Sequence, residues 1–445
     1  MRRLAPSGPE LTIEFEGKSI KAREGEPAAC ALLAAGETVF SRSIKYHRPR
    51  GPFCMAASCS NCLVRIDGVP NRFACQTPVR AGMRVERQNA YPSVRVDVFS
   101  SIDWLFPKGM DHHSMFAGVP VAEKVMATVA RHLAGLGMLP DKAPPEPRPP
   151  ERLSVEVLVV GAGAAGLAAT EVLTASGLSP LVLEQEDRVG GRWVLDAPED
   201  GASGAPSIAA GAQLRLGTSA LGLYDDELGR VLLAVQRDAE GARVLLVEAG
   251  SMLFALGGHA STVPFENNDI PGVFSGRAAA DLLRRRRLLV GDAPVVLGEG
   301  PQLVALARAF EAEGARPPLV LHTGPGPAPA GAVRGAPLRA HGRTRVHGLS
   351  YREAAGRERR VACDAVVISV PPSPAFELLR QAGVKISFRP ELGTFAPEVE
   401  PDGRTQVAGI WAAGDLVRPG AVVEAAESGR RVARGMLSPG KKVHP

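Results

Sequence analysis

The chain opens on alternation. Leu11-Thr12-Ile13-Glu14-Phe15 sets an apolar residue at every second position, and Lys18-Ser19-Ile20-Lys21-Ala22 resumes the period after Glu16-Gly17. A period of two puts every other side chain on one face, so the pattern predicts two strands joined by a tight turn and buried on one side. From Pro27 to Ala35 the residues are small and apolar until Gly36, which predicts a short buried helix with a glycine stop. Leu63-Val64-Arg65-Ile66, ahead of Asp67-Gly68, and Met83-Arg84-Val85-Glu86 predict further strands. Hairpin, helix, irregular loop and strands together form a small α+β module over residues 1–100.

Residues 98 to 139 read as partly helical, chiefly Val121 to Met138, and run into Pro140-Asp141-Lys142-Ala143-Pro144-Pro145-Glu146-Pro147-Arg148-Pro149-Pro150. Proline at that density stiffens a chain without folding it, so residues 101–150 are expected to be a helical and semi-rigid linker. Next comes Val155-Glu156-Val157-Leu158-Val159-Val160, a buried type of strand. A glycine turn, an Ala/Leu-rich helix to Ser176-Gly177 and the strand Pro180-Leu181-Val182-Leu183-Glu184 complete a βαβ unit. A weaker copy occupies Pro294 to Leu321, with candidate strands at Ser251 to Leu256 and Asp364 to Val370. The expected organisation is one Rossmann-like domain inserted in another: residues 151–262 with 390–445, interrupted by 263–389.

Composition narrows the partners. A length of 445 residues supports two or three domains, and the abundant Gly and Pro interrupt apolar runs rather than repeating, which points to turns rather than disorder. The net charge of +5 comes from arginines scattered among acids, without the aromatic-laced basic stripe that single-stranded nucleic acid needs, so no nucleic-acid partner is expected. No apolar core follows Met1-Arg2-Arg3 and no stretch of 18 apolar residues offers a membrane span; a cytoplasmic location is the expectation. Six cysteines, four of them between 54 and 75, do not form a disulfide framework and in a reducing compartment point to metal ligation.

Cys54-x4-Cys59-x2-Cys62 is the spacing with which one loop wraps three thiolates around a plant-type 2Fe-2S cluster, and Cys75 supplies the fourth. A four-cysteine zinc site usually pairs two Cys-x2-Cys knuckles, of which only one occurs here. With the cluster, the first module reads as a ferredoxin-like β-grasp domain. Ferredoxin loops commonly carry Gly where this chain has Ala57, so a positive φ there would strain the loop by about 1 kcal/mol.

Gly161-Ala162-Gly163-Ala164-Ala165-Gly166 stands between strand and helix, the arrangement that lets backbone N–H groups approach a pyrophosphate at a helix N-terminus, and Glu184 ends the next strand, placed to accept from ribose hydroxyls. Two further motifs accompany it, Val189-Gly190-Gly191-Arg192-Trp193 and Gly409-Ile410-Trp411-Ala412-Ala413-Gly414-Asp415. Together they resemble the flavoprotein disulfide reductase family over about residues 151 to 436, and the resemblance implies that the late motif, through Gly414 and Asp415, holds the ribityl and phosphate part of a flavin. The second copy, Gly298-Glu299-Gly300-Pro301-Gln302-Leu303, has Leu303 for the third glycine and His322 where an acidic ribose partner belongs, so it reads as a degenerate NAD-binding-like domain. The family's redox Cys-x-x-Cys is absent from both nucleotide domains; Cys363 reads as a buried small residue.

Of the remaining candidates, the run Lys45, His47, Arg48, Arg50 suits a phosphate, an acidic partner or a solvated loop; Arg284 to Arg287 read as a solvated face; Asp111-His112-His113 reads as a linker turn. Ser41-Arg42-Ser43-Ile44-Lys45-Tyr46-His47-Arg48-Pro49-Arg50-Gly51, ahead of the cysteines, then a linker, then the nucleotide fold, resemble the α subunits of heteromeric sarcosine oxidases. Related dye-linked opine, D-hydroxyproline and L-proline dehydrogenases and hydrogen cyanide synthase share the arrangement. Sarcosine oxidase α subunits continue into a large folate-type domain; retention of the cysteines and an end at Pro445 place the expectation nearer a compact dehydrogenase subunit.

The resemblance implies an electron-transfer subunit with no catalytic residue of its own. A partner β subunit containing FAD would oxidise the C–N bond of an amine or amino acid, and electrons would pass through flavin and the 2Fe-2S cluster to an unknown acceptor. It also implies a hetero-oligomer, FAD at the first site with NAD or ATP as other occupants, and FMN at a subunit interface. Two alternatives stay open: a self-sufficient NAD(P)H-dependent flavin and iron–sulfur reductase, and a scaffold whose nucleotide is purely structural.

Overall fold

The computed structural model describes residues 1–5, 8–43, 46–90, 93, 94, 96, 97, 121, 125, 146, 148–193, 207–226, 229–238, 241–300 and 302–438. Ile44-Lys45, Asp111-His112-His113, most of the proline run, and the helix expected from Val121 to Met138, save for Val121 and Val125, lie outside them. Packing gathers the chain into two units, one joining Met1–Pro144 to Thr262–Val370 and one joining Pro145–Ser261 to Pro371–Pro445.

In the first unit the predicted hairpin forms as Glu10–Phe15 and Lys18–Arg23. Its turn residues Glu16 and Gly17 have φ of 52° and 74°, the paired positive angles whose twist matches that of the flanking strands. Alternation decides the faces: Ile13, Phe15 and Ala22 are buried while Thr12 and Lys21 are exposed. The sheet runs Lys18–Arg23, Glu10–Phe15, Arg84–Glu86, Leu63–Ile66, Val69–Phe73, and helix Ala28–Ala34 packs on it with Ala28 to Leu33 buried.

The same unit holds the inserted module. Val273–Ser275, Ala365–Ser369, Pro294–Gly298, Leu319–His322 and Val333–Gly342 pair in parallel in that order, and Val346–Glu353 and Glu358–Val361 extend the sheet antiparallel to seven strands. Strand Arg2–Arg3 pairs antiparallel with Leu288–Leu289, so the chain's first residues are stitched into this module. The arginine run is not the solvated face its charges suggested. Its residues are half-buried around a π-helical turn, Asp281–Arg285, where Arg285 and Arg286 reach Asp281 and Arg287 makes a two-point pair with Glu313 at 2.7 and 3.1 Å. The acids that neutralise the run come from the same turn and from beyond the next helix, so a one-sign stretch of sequence conceals them.

In the second unit, Gln213–Arg215, Leu181–Leu183, Arg148–Val160, Gly241–Phe254, Gly229–Asp238 and Thr218–Asp226 follow one another across the sheet, and Ile410–Ala412 pairs in parallel with the end of Gly241–Phe254. Arg148-Pro149-Pro150, which composition placed in the linker, begin the long central strand. Its register slips between Arg148↔Arg243 and Glu151↔Leu245, so the two prolines, which cannot donate, occupy the irregularity. The insert ends earlier than the expected residue 389: Leu379, Ala382 and Val384 belong to the core of the second unit with Leu223 and Leu232. Short helix Glu377–Gln381 is held there by Gln381, whose carbonyl oxygen accepts from Leu223 N–H at 3.0 Å. Leu253, fully buried in the central part of this sheet, is a sensitive probe: Leu253→Ala should lower stability by about 2–5 kcal/mol, read as a fall in the calorimetric transition of this unit.

Candidate functional site

Three cysteines lie on the loop between Pro49–Arg50 and Leu63–Ile66, and Cys75 follows strand Val69–Phe73. Cys54, Cys62 and Cys75 are buried, and Cys59 is partly exposed. The sulfurs associate as two pairs, Cys54 with Cys59 and Cys62 with Cys75. The hydrogen bond from Cys59, against the opposing effect of burial, pulls Cys54 down to about 5 and correspondingly pushes Cys59 up. Donation from Cys75 likewise lowers Cys62, and Cys75 rises. The Ala56 N–H lies 3.4 Å from Cys54 Sγ, and the N–H groups of Ser58, Asn61 and Ala57 serve Cys54, Cys59 and Cys75.

Four thiolates are the number a binuclear iron centre needs, two for each iron. One zinc would draw all four to a single point. Four thiols gathered in one small domain, three of them buried, fit 2Fe-2S, and the loop that carries the first three is strained: Met55, Ala57 and Ser60 have φ of 53°, 55° and 55° without being glycine. Alternating handedness of this kind turns successive N–H groups inward. Ala57 thus carries the strain its sequence position implied, and Ala57→Gly should stabilise the module by about 1 kcal/mol, checked as a higher melting temperature and slower iron loss to a chelator.

In the second unit, strand Arg148–Val160 ends at Gly161 (φ 102°) and helix Ala164–Ala175 begins after Gly163 without a side-chain cap, leaving its first-turn N–H groups open to an anion. A Cβ on Gly161 would stand 2.4 Å from Ala255 O, and one on Gly166 1.9 Å from Gly161 O. Glu184 is buried and accepts from the N–H groups of Ala162 at 2.8 Å and Glu186 at 2.9 Å, bracing the turn. The other motifs converge here. Gly190 N–H donates to Ala162 O at 2.8 Å, Gly191 abuts Gly163, and Trp193 N–H closes the loop on Gly190 O at 2.9 Å. Arg192 pairs with Asp415 at 3.2 Å and donates to Gly420 O, while Gly414 sits against Ala165. Helix Val422–Leu437 crosses helix Ala164–Ala175 at Gly429, whose Cβ would meet Ala165 O at 2.0 Å. The nine residues named from the three motifs, with Glu184, therefore form one neighbourhood.

The second glycine turn is different. Gly298 keeps its positive φ of 137° and packs on Ser369, but Leu303 is fully buried in helix Gln302–Ala312. Glu299 turns its carboxylate toward Gly324, beside His322, so this turn carries an acidic side chain of its own. His322 is buried with Nε2 3.1 Å from Gly326 O. Cys363 is buried, which pushes its thiol up to about 12, as a packing residue requires. The described residues of the basic run are also accounted for. Arg48 clamps Asp269 at 2.8 and 2.7 Å and reaches Asn267 at 2.8 Å, Arg50 stands 3.6 Å from Asp269, and His47 pairs with buried Asp97 at 2.9 Å. The acidic partner is thus within the chain, and Asp269 carried no signal in the sequence.

Residues 155–429 match the model of the pyridine nucleotide-disulphide oxidoreductases. The chain belongs to that family. Residues 8–90 match a 2Fe-2S iron–sulfur cluster binding domain. Among sequence relatives, the alpha subunit of sarcosine oxidase from Rhizobium meliloti (strain 1021) is 29% identical over 337 residues, 70% of this chain and 34% of that protein. An opine oxidase subunit of Agrobacterium tumefaciens (strain Ach5) is 26% identical over 329 residues, 64% of this chain and 65% of that protein. The chain therefore spans about a third of the first relative and under two thirds of the second. The solved L-proline dehydrogenase of P. horikoshii superposes with a TM-score of 0.70 at 22% identity, covering 98% of this chain and 75% of that one. The fold of this oxidoreductase, an iron–sulfur domain joined to a nucleotide-binding pair of domains, is shared with that solved structure. Among the described residues no helix is long and apolar enough to cross a membrane.

Proposed function

We propose that the chain is the electron-transfer subunit of a heteromeric flavin-dependent amine or amino acid dehydrogenase or oxidase. The observation that carries this reading is the union, in one packed unit, of paired cysteines with a nucleotide-type module whose turn has lost its third glycine and gained Glu299 and His322. A one-electron carrier then stands beside a site poorly built to receive a pyridine dinucleotide. On this reading substrate oxidation belongs to a partner subunit with its own FAD; the relatives' names, as subunits of oxidases, support the existence of further subunits.

Each residue's part follows from its geometry. Cys54, Cys59, Cys62 and Cys75 would hold the cluster, and the surrounding N–H groups would stabilise charge on the sulfurs. Gly161, Gly163 and Gly166 would let the backbone close on a pyrophosphate, Glu184 would accept from ribose hydroxyls, and the Arg192–Asp415 pair ties Gly190-Gly191 to Gly414. FAD is the occupant this arrangement favours, with NAD or ATP possible in the same place and FMN at a subunit interface. When bound, a flavin accepts two electrons and returns them singly, which suits a one-electron cluster.

Co-expression with a flavin-bearing partner and absorption and EPR spectra of the purified complex test the reading by counting flavins and clusters. One cluster per chain, reduced on adding the partner's amine substrate, is expected. Rapid bleaching of flavin by NADH in the isolated chain would overturn it in favour of a self-sufficient reductase.

A further inference from the structure

The loop ahead of the first cluster cysteine is moulded on the inserted module. Arg48 grips Asp269 and Asn267, and Gly51 lies where a Cβ would meet Thr38 O at 2.2 Å and Pro271 Cβ at 3.3 Å. The ring of Phe53 packs against the module's core beside Ile270 and Val273, and its carbonyl accepts from Ser275 N–H at 2.9 Å. Phe53 and Cys54 share a peptide bond. Because that unit is planar and trans, pinning the carbonyl on Ser275 fixes the direction of the Cys54 N–H as well.

We propose that the inserted module, through Asn267 to Ser275, serves as the seat of the iron–sulfur site, with Ser275 and Arg48 as positioning residues that set the reduction potential and retention of the cluster. This rests on the reading that the four cysteines hold a 2Fe-2S cluster. Cluster potentials follow hydrogen bonding around the sulfurs and exposure to water. Releasing the Phe53 carbonyl lets the loop open, and water favours the more negatively charged reduced state, raising the potential. The proposal also gives the degenerate module a reason to persist: its sheet ends at Ser275, Ser369 and Gly298, and the first of these holds the loop of Cys54.

The backbone permits a clean test. Ser275 has φ of −70°, close to the proline ring's value, and follows strand residues, so Ser275→Pro deletes the N–H at small conformational cost. Ser275→Pro also loses the side-chain oxygen that accepts from Ala278 N–H at 3.1 Å; Ser275→Ala loses only that oxygen and is the control. In the full chain, Ser275→Pro should raise the midpoint potential and release iron to a chelator several-fold faster, while Ser275→Ala matches the wild type in both. Equal behaviour of the two variants overturns the proposal. If Ser275→Pro does not fold, Arg48→Gln carries the same expectation, and an unchanged potential and release rate there overturns it. A wild-type chain reconstituted with iron and sulfide that shows no 2Fe-2S spectrum would instead refute the reading of the cysteines, and the proposal with it.

Discussion

Cys62→Ser should empty the iron–sulfur site. The Cys62 sulfur is buried and paired with Cys75, and a serine hydroxyl, which stays protonated where a thiol ionises, cannot replace it. The iron expected between them would keep a single protein ligand. Visible absorption and the reduced-state EPR signal should fall below about a tenth of the wild-type level, since metal affinity in such sites is folding energy as well as binding energy. Ile13, Phe15, Leu32, Leu33, Phe40 and Val64 still supply a buried core, so the module should remain folded. Cys30→Ser provides the contrast: Cys30 is buried in helix Ala28–Ala34, burial pushes its thiol up, and its loss should cost stability but leave the cluster intact. Iron and sulfide analysis with EPR on both variants decides the matter, and a full cluster in Cys62→Ser would contradict the assignment.

Two alanines at the first glycine turn should have opposite consequences. Gly166→Ala places a methyl 1.9 Å from Gly161 O, a backbone atom with no room to retreat, and should cost about 4 kcal/mol or more and yield little soluble protein. Gly163 has an ordinary φ of −76°, and no atom lies within 4 Å of where an added methyl group would stand, so Gly163→Ala should change stability by no more than about 1 kcal/mol. The open space beside Gly163 is where a pyrophosphate would approach the helix N-terminus. Gly163→Ala should therefore lose nucleotide affinity about tenfold, or about 1.4 kcal/mol, measured as nucleotide retained through gel filtration.

Legibility in the sequence depended on whether the deciding interaction was local. Alternation around Glu16-Gly17 and the unbroken run Val157 to Val160 settle burial within a few residues, and these elements formed where the pattern placed them. Cysteine spacing and three glycine motifs were readable because each encodes one loop's geometry, although the contact of Arg192 with Asp415 needs the tertiary fold. The outer antiparallel strands, such as Thr218–Asp226 and Val346–Glu353, were not legible: Gly222 and Leu223 in the first and Gly348 and Leu349 in the second are buried side by side, which breaks the alternation. The fate of Arg48 and of Arg285 to Arg287 was hidden for the same reason, since a charge is solvated or paired according to acids such as Asp269, Asp281 and Glu313 that only folding brings near.

The pairing of Arg2–Arg3 with Leu288–Leu289 bears on how the protein is made. A ribosome working at roughly 5–20 residues per second reaches Leu289 about 15–60 s after Arg2. For that interval the amino-terminal strand has no mate, although the hairpin and helix that follow it are complete. Iron delivery that waits for the strand would be a late event in biogenesis, and an affinity tag fused ahead of Arg2 would crowd the strand's docking place.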